Sequence, residues 1–152
     1  MNDQFAKITA QIPAIFAALA ESEPLPAKGT ASQRGKAGVY AFFEDGRAVH
    51  VGRTRNLQER LQGHTRRSHN SATFAFKRTR RALKMPATYK TDGSRVKLTD
   101  HETFGPEFDR QIERVKIMEV RFVEVTDPVT QYLLELYAHM EWELPLDEFE
   151  TH

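Results

Sequence analysis

The chain has 152 residues, with 22 Lys or Arg, 21 Asp or Glu and no cysteine. That length predicts one domain with a real core. The lack of cysteine excludes disulfides, thiolate zinc sites and cysteine nucleophiles, and it suits a reducing cytoplasm.

Residues 3–20 place Phe5, Ile8, Ile12, Ile15, Phe16 and Leu19 at helical spacing. Pro13 predicts a kink or a restart in that helix. The Ala14–Ala20 run has no basic flank before it, so it does not read as a signal peptide. No apolar run nears the roughly 18 residues that a membrane span needs. Ser22 to Lys36, with Pro24, Pro26, Gly29 and Gly35, reads as a linker or extended arm. The first 36 residues are therefore expected to form an N-terminal helix and arm ahead of the main domain.

Val39–Phe43 and Ala48–Val51 are β-rich runs around Glu44-Asp45-Gly46, which predicts a hairpin. A two-residue turn pairs Glu44 with Arg47 and sets Tyr40 opposite Val51. A three-residue turn pairs Phe43 with Arg47 and sets Tyr40 opposite His50 on the same face. We expect the second register, which puts two proton-handling groups side by side. Asn56 then caps a helix carrying Leu57, Arg60, Leu61 and His64.

A loop with Arg66 and Arg67 leads to a helix over Phe74–Lys84 that Pro86 should end. Thr88 to Asp100 is polar, with a turn signal at Asp92-Gly93. Thr103–Lys116 reads as a helix with Phe108, Ile112 and Val115 on one stripe. Ile117–Val125 alternates as a third strand, and Met118, Val120 and Phe122 form its mostly apolar face. Asp127-Pro128 starts a last helix, running to about Glu143. It is expected to bury Val129, Tyr132 or Leu133, Leu136, Tyr137 and Met140, before Pro145 and a tail at Leu146–Phe149 that folds back. The expected fold class is α+β: a small three-stranded, mostly antiparallel sheet flanked by helices, with a helical basic insertion over residues 65–116 and the N-terminal helix.

Charge is unevenly spread. Residues 47–97 hold 14 Lys or Arg against two acids, Glu59 and Asp92. Residues 98–152 hold four basic and 14 acidic residues. The basic block points to a polyanion such as nucleic acid. The other reading, that the two halves pair on a solvated surface, stays open.

Arg60 and His64 share a helix face, where one could clamp a phosphate and the other relay a proton. Glu135 lies between Leu133-Leu134 and Leu136-Tyr137, the most apolar stretch of the last helix. Either it points to solvent, or it is buried and needs a partner such as a hard metal. The histidines show no zinc-ligand spacing, and no Gly-rich phosphate loop is present.

In this order the residues resemble the GIY-YIG nuclease family over roughly residues 37–149. Gly38-Val39-Tyr40 resembles the first motif and His50-Val51-Gly52 the second, with His50 where the family usually has tyrosine. Arg60 and His64 follow on the next helix. Glu135 resembles the metal-binding glutamate, and Asp147 stands where the family usually has asparagine. The resemblance implies hydrolysis of DNA phosphodiesters with Mg²⁺ or Mn²⁺ held by Glu135. Arg60 would stabilise the transition state, Tyr40 would orient or deprotonate water, and His64 would take that proton. His50 would share the base work or mark a weakened site, and Asp147 would approach the metal or a neighbouring side chain. Arg53, Arg66, Arg67, Lys77, Arg78, Arg80, Arg81 and Lys84 are the candidates for contacts to the DNA backbone. One site that cuts both strands would imply a homodimer. A binding module on the same fold, with weakened or lost catalysis, is the alternative.

Overall fold

The computed structural model describes residues 1–85, 98 and 101–146. Pro86, the polar stretch from Thr88 to Asp100 apart from Leu98, the tail beyond Leu146 and Asp147 lie outside the described residues.

The chain runs α1 (Asp3–Ala20), β1 (Leu25–Pro26), a short 3₁₀ turn (Ala31–Gln33), β2 (Gly38–Glu44), β3 (Arg47–Thr54), α2 (Leu57–His64), α3 (Thr73–Ala82), α4 (Phe104–Lys116), β4 (Glu119–Glu124) and α5 (Pro128–Glu141). The fold class is α+β. The four strands pair antiparallel in the order β1-β4-β2-β3. The fourth strand comes from the segment read as an arm, where Leu25 pairs with Val120. Two residues are too few to show alternation, so this strand leaves no sequence pattern. Ser22 secures the approach: its hydroxyl accepts from the Phe122 amide at 3.0 Å, and its carbonyl accepts from the Arg121 guanidinium.

Strand alternation divides the core into two layers. Val39, Ala41 and Val51 pack with Ile12 and Leu19 of α1 and Leu134 and Ala138 of α5. Tyr40 and Phe42 face the other way, onto Leu57 and Leu61 of α2, Phe74 and Phe76 of α3, and Phe104 and Phe108 of α4. Burying each such aromatic ring contributes about 1.5–3 kcal/mol.

α1 is one continuous helix with Pro13 inside it, capped by the Asn2 side chain on the Phe5 amide. Phe5, expected on the buried stripe, is exposed. α3 ends at Ala82, with the Leu83 amide bonded back to the Thr79 carbonyl at 3.0 Å.

The hairpin register differs from the expected one. Asp45 and Gly46 both have positive φ, 52° and 79°, and form a two-residue turn with Glu44 opposite Arg47. Between Phe42 and Phe43 the ladder then slips by one residue, leaving Val49 as the extra residue of a β-bulge. Phe42 therefore pairs with His50, and Tyr40 pairs with Gly52 instead of His50 or Val51. Tyr40 and His50 still share a face, but as diagonal neighbours with ring centroids 6.0 Å apart.

The last helix also differs in the face it buries, although Leu133 and Tyr137 are half-buried against the core as expected. Val129, Tyr132, Leu136 and Met140 are exposed, while Thr130, Gln131, Leu134, Glu135, Ala138 and His139 are buried. Asp127 fixes the start by accepting from the Thr130 amide at 2.9 Å. Leu134 and the small Ala138 then lie against the sheet, and that phase carries Glu135 inside. Counting apolar residues misleads here because four of the six buried residues, Thr130, Gln131, Glu135 and His139, are polar.

Candidate functional site

Tyr40 is placed by its strand partner. A Cβ on Gly52 would run into the Tyr40 hydroxyl and ring carbon Cζ, so only glycine leaves room for the ring across β3. Gly38 has a parallel reason: a Cβ there would meet the Val123 backbone carbonyl of β4. The glycines of both short motifs thus mark close approaches rather than turns.

The Tyr40 hydroxyl meets two residues of α2. Arg60 Nε donates to it at 3.3 Å, and His64 Nε2 lies 2.7 Å away. The hydrogen of the 2.7 Å bond belongs to the hydroxyl or to Nε2 according to the imidazole tautomer. Burial pushes the Tyr40 hydroxyl above its ordinary value, with Arg60 opposing and the Glu135 charge adding to the rise. Burial, then Arg60, then Lys77 push His64 well below its ordinary value. The resting arrangement is therefore a protonated tyrosine beside a neutral imidazole. Arg60 is anchored in turn by the Ser71 carbonyl at 3.1 Å and the Thr73 hydroxyl at 2.9 Å. No local pattern in the sequence singles out Ser71 or Thr73.

His50 belongs to the aromatic layer beneath this group. Only 4% exposed, its ring stacks on Phe74 at 4.5 Å and meets His64 edge-on at 5.3 Å.

Glu135 comes from the opposite side of the sheet, on α5. It is fully buried and pairs with Arg53 Nε at 3.3 Å. Arg53 also stacks over the Tyr132 ring, 3.4 Å from its centroid. Gly52, opposite Tyr40, and Arg53, paired with Glu135, are neighbours on the edge strand β3, and the Glu135 charge acts on the Tyr40 hydroxyl.

Two clefts border that edge. One, of about 400 Å³, is lined by Arg53, Thr54, Arg55, Thr126 and Gln131 among others. The other, of about 320 Å³, is lined by Thr54, Arg55, Asn56, Arg60, Arg66 and Ser71 among others. Both share Thr54 and Arg55, giving an arginine-rich surface on either side of the strand end. Arg55 is absent from the residues read in the sequence, although its alternation with Arg53 at a strand terminus could have flagged it.

The remaining basic candidates sit elsewhere. Arg67 is paired with Asp109 at 2.6 Å. Arg78 makes a fork onto Glu44 at 3.1 and 3.0 Å and a bond to Gln111 at 2.8 Å. Arg81 lines a separate cleft with Arg47 and Arg114, Arg80 lies over the Phe76 ring, and Lys84 has a positive φ of 56° just after α3. Lys77 acts on the site through its charge on His64.

Among the described residues no group of three or more His, Cys, Asp or Glu could hold a metal together. Glu135 is the one buried carboxylate among the described residues, a hard oxygen donor. That fits Mg²⁺, which keeps several waters and is often held by one or two carboxylates plus substrate phosphates. Among the same residues no helix is long and apolar enough to cross a membrane.

No family model matches the chain, and no curated protein matches it. Among solved structures it is similar to the GIY-YIG N-terminal endonuclease domain of UvrC from Thermotoga maritima, a tyrosine-to-phenylalanine point mutant bound to its catalytic divalent cation. The identity is 17%, the alignment covers 95% of this chain and 94% of that one, and the TM-score is 0.37.

Proposed function

We propose that the protein is a metal-dependent endonuclease that hydrolyses DNA phosphodiester bonds, on the plan of the GIY-YIG nucleases its motifs resemble. The observation that carries this reading is the Tyr40 hydroxyl held between Arg60 and His64, with the Glu135 charge acting on it.

Arg60 lines the cleft beside Arg66, so a phosphate there meets a guanidinium whose other bonds hold it still. Charge growing on the phosphoryl oxygens would be stabilised at that point. Attack by water requires a proton to leave the water. It passes to the Tyr40 oxygen as the Tyr40 hydrogen moves along the 2.7 Å bond to His64 Nε2. The imidazolium so formed is opposed first by burial and then by Arg60 and Lys77 in the free protein. A phosphate against Arg60 offsets that repulsion, so substrate binding raises the basicity of His64. Glu135 would hold Mg²⁺ or Mn²⁺, which when bound neutralises charge on the scissile phosphate and on the leaving oxygen. The arginines of the clefts would grip backbone phosphates without reading sequence. The same reading takes residues 37–149 as the catalytic domain, the cytoplasm as its compartment, and a homodimer as the cutting unit where both strands are cleaved together.

His50 favours a second reading. Its ring is stacked in the aromatic layer, where the family usually has tyrosine, which suits a DNA-binding module with weakened or lost catalysis.

Supercoiled and branched DNA incubated with Mg²⁺, Mn²⁺ or EDTA, beside Glu135→Gln, separates the two. We expect metal-dependent nicking that falls by at least about a thousandfold in the variant. Nicking that survives the substitution would sink the assignment of Glu135. Binding that weakens with salt, with no cutting, would favour the module.

A further inference from the structure

We infer that Arg53 is the exchangeable counter-ion of Glu135: it occupies the carboxylate while no divalent cation is present and turns to a substrate phosphate when one arrives. This rests on the nuclease reading of the site.

Three observations place Arg53 at that crossing. Its Nε lies 3.3 Å from Glu135 Oε2, and the carboxylate is fully buried while the arginine side chain is 26% exposed. Its guanidinium rests on the Tyr132 ring, which lies at the surface. Its side chain also forms the wall of the cleft shared with Thr54, Arg55 and Gln131. The guanidinium therefore stands between a buried negative charge and an open, arginine-lined cleft.

Electrostatics favours the exchange. A buried carboxylate needs a compensating charge, and Arg53 supplies one. A divalent cation held by the same carboxylate would carry the same sign of charge as the guanidinium, and the two would repel. Once displaced, the guanidinium keeps its Tyr132 platform, and its planar fork matches the oxygens of a phosphate in the cleft. Metal and phosphate binding thereby reinforce each other, because the metal frees the group that the phosphate uses.

The test titrates Mn²⁺ alone, by calorimetry, into the wild type, Arg53→Gln, Arg53→Lys and Glu135→Gln, with folding checked by circular dichroism. We expect Arg53→Gln to bind roughly tenfold tighter than wild type, Arg53→Lys to stay near wild type, and Glu135→Gln to lose the site. Binding in Arg53→Gln that is equal or weaker, while Glu135→Gln still abolishes it, overturns the exchange and leaves the metal reading standing. Equal binding in wild type and Glu135→Gln overturns both. Should Arg53→Gln not fold, the arginine Nε–H resonance of Arg53 in the wild type decides. A shift on adding Mg²⁺ that is absent in Glu135→Gln supports the exchange, and an unmoved resonance overturns it.

Discussion

The two faces of the β2–β3 hairpin are built from different chemistry. The face under α1 and α5 has an aliphatic centre, Val39, Ala41 and Val51 against Leu134 and Ala138, and keeps its rings, Phe16, Phe43, Tyr137 and Trp142, among the half-buried residues packed against it. Its charged pair, Arg53 and Glu135, lies at the strand end. The face under α2 and α3 is a lattice of rings: Tyr40, Phe42, His50, His64 and Phe74, with centroids 4.5–6.0 Å apart. An aliphatic layer fixes where elements sit. A ring layer also fixes the rotation of each plane, and hence where a hydroxyl or a ring nitrogen points.

The largest effect should come from breaking each layer in turn. Phe74→Ala is expected to cost about 3–5 kcal/mol, and Leu134→Ala about 2–5 kcal/mol, in denaturant unfolding. The two should part in NMR. Loss of Phe74 should move the imidazole signals of His50 and His64, and loss of Leu134 should leave them in place. Equal movement in both variants would mean that the ring layer has no directing role of its own.

A smaller effect is expected where the ring layer meets the edge strand. Gly52→Ala puts a methyl group where the Tyr40 hydroxyl lies, so the ring must shift and give up its bonds to His64 and Arg60. We expect a loss of about 1–3 kcal/mol and a drop in nicking larger than the stability loss explains. A Gly52→Ala protein that nicks normally would remove Tyr40 from the chemistry.

The smallest test is of pH. His64 titrates well below its ordinary value of 6.5 in the folded chain, so as pH falls below about 6.5 the unfolded chain takes up a proton that the folded one refuses. Stability is complete above that value and declines beneath it, by up to about 1.4 kcal/mol per pH unit for one such group. His64→Phe keeps a ring in the layer and removes the proton. Its melting temperature should fall less than that of the wild type between pH 6.5 and 5, and parallel profiles would contradict the burial of a neutral imidazole.

What the sequence revealed follows the range of the forces involved. Local signals were legible: the Asn56 cap before α2, the Asp127-Pro128 start of α5, and the shared face of Arg60 and His64. The hairpin was legible, but not its bulge, because a slip at Phe42 depends on packing across three elements. The buried face of α5 was misread because Gln131, Glu135 and His139 break the rule that apolar residues go inside. A helix that buries a carboxylate where leucines were available departs from the folding optimum, and such departures concentrate where function is served. The anchoring of Arg60 by Ser71 and Thr73 is a contact between segments that no spacing encodes.

The extra residue at Val49 acts as a slip joint. From Tyr40–Gly52 to Phe42–His50 the hairpin keeps one phase, and from Phe43–Ala48 to the tip it keeps another. What still ties the tip to the body above the joint is the Arg78 fork on Glu44. A fluorophore or short peptide grafted between Asp45 and Gly46 would open that turn, and its signal should report on the Glu44–Arg78 fork and, through it, on the helix that carries Phe74.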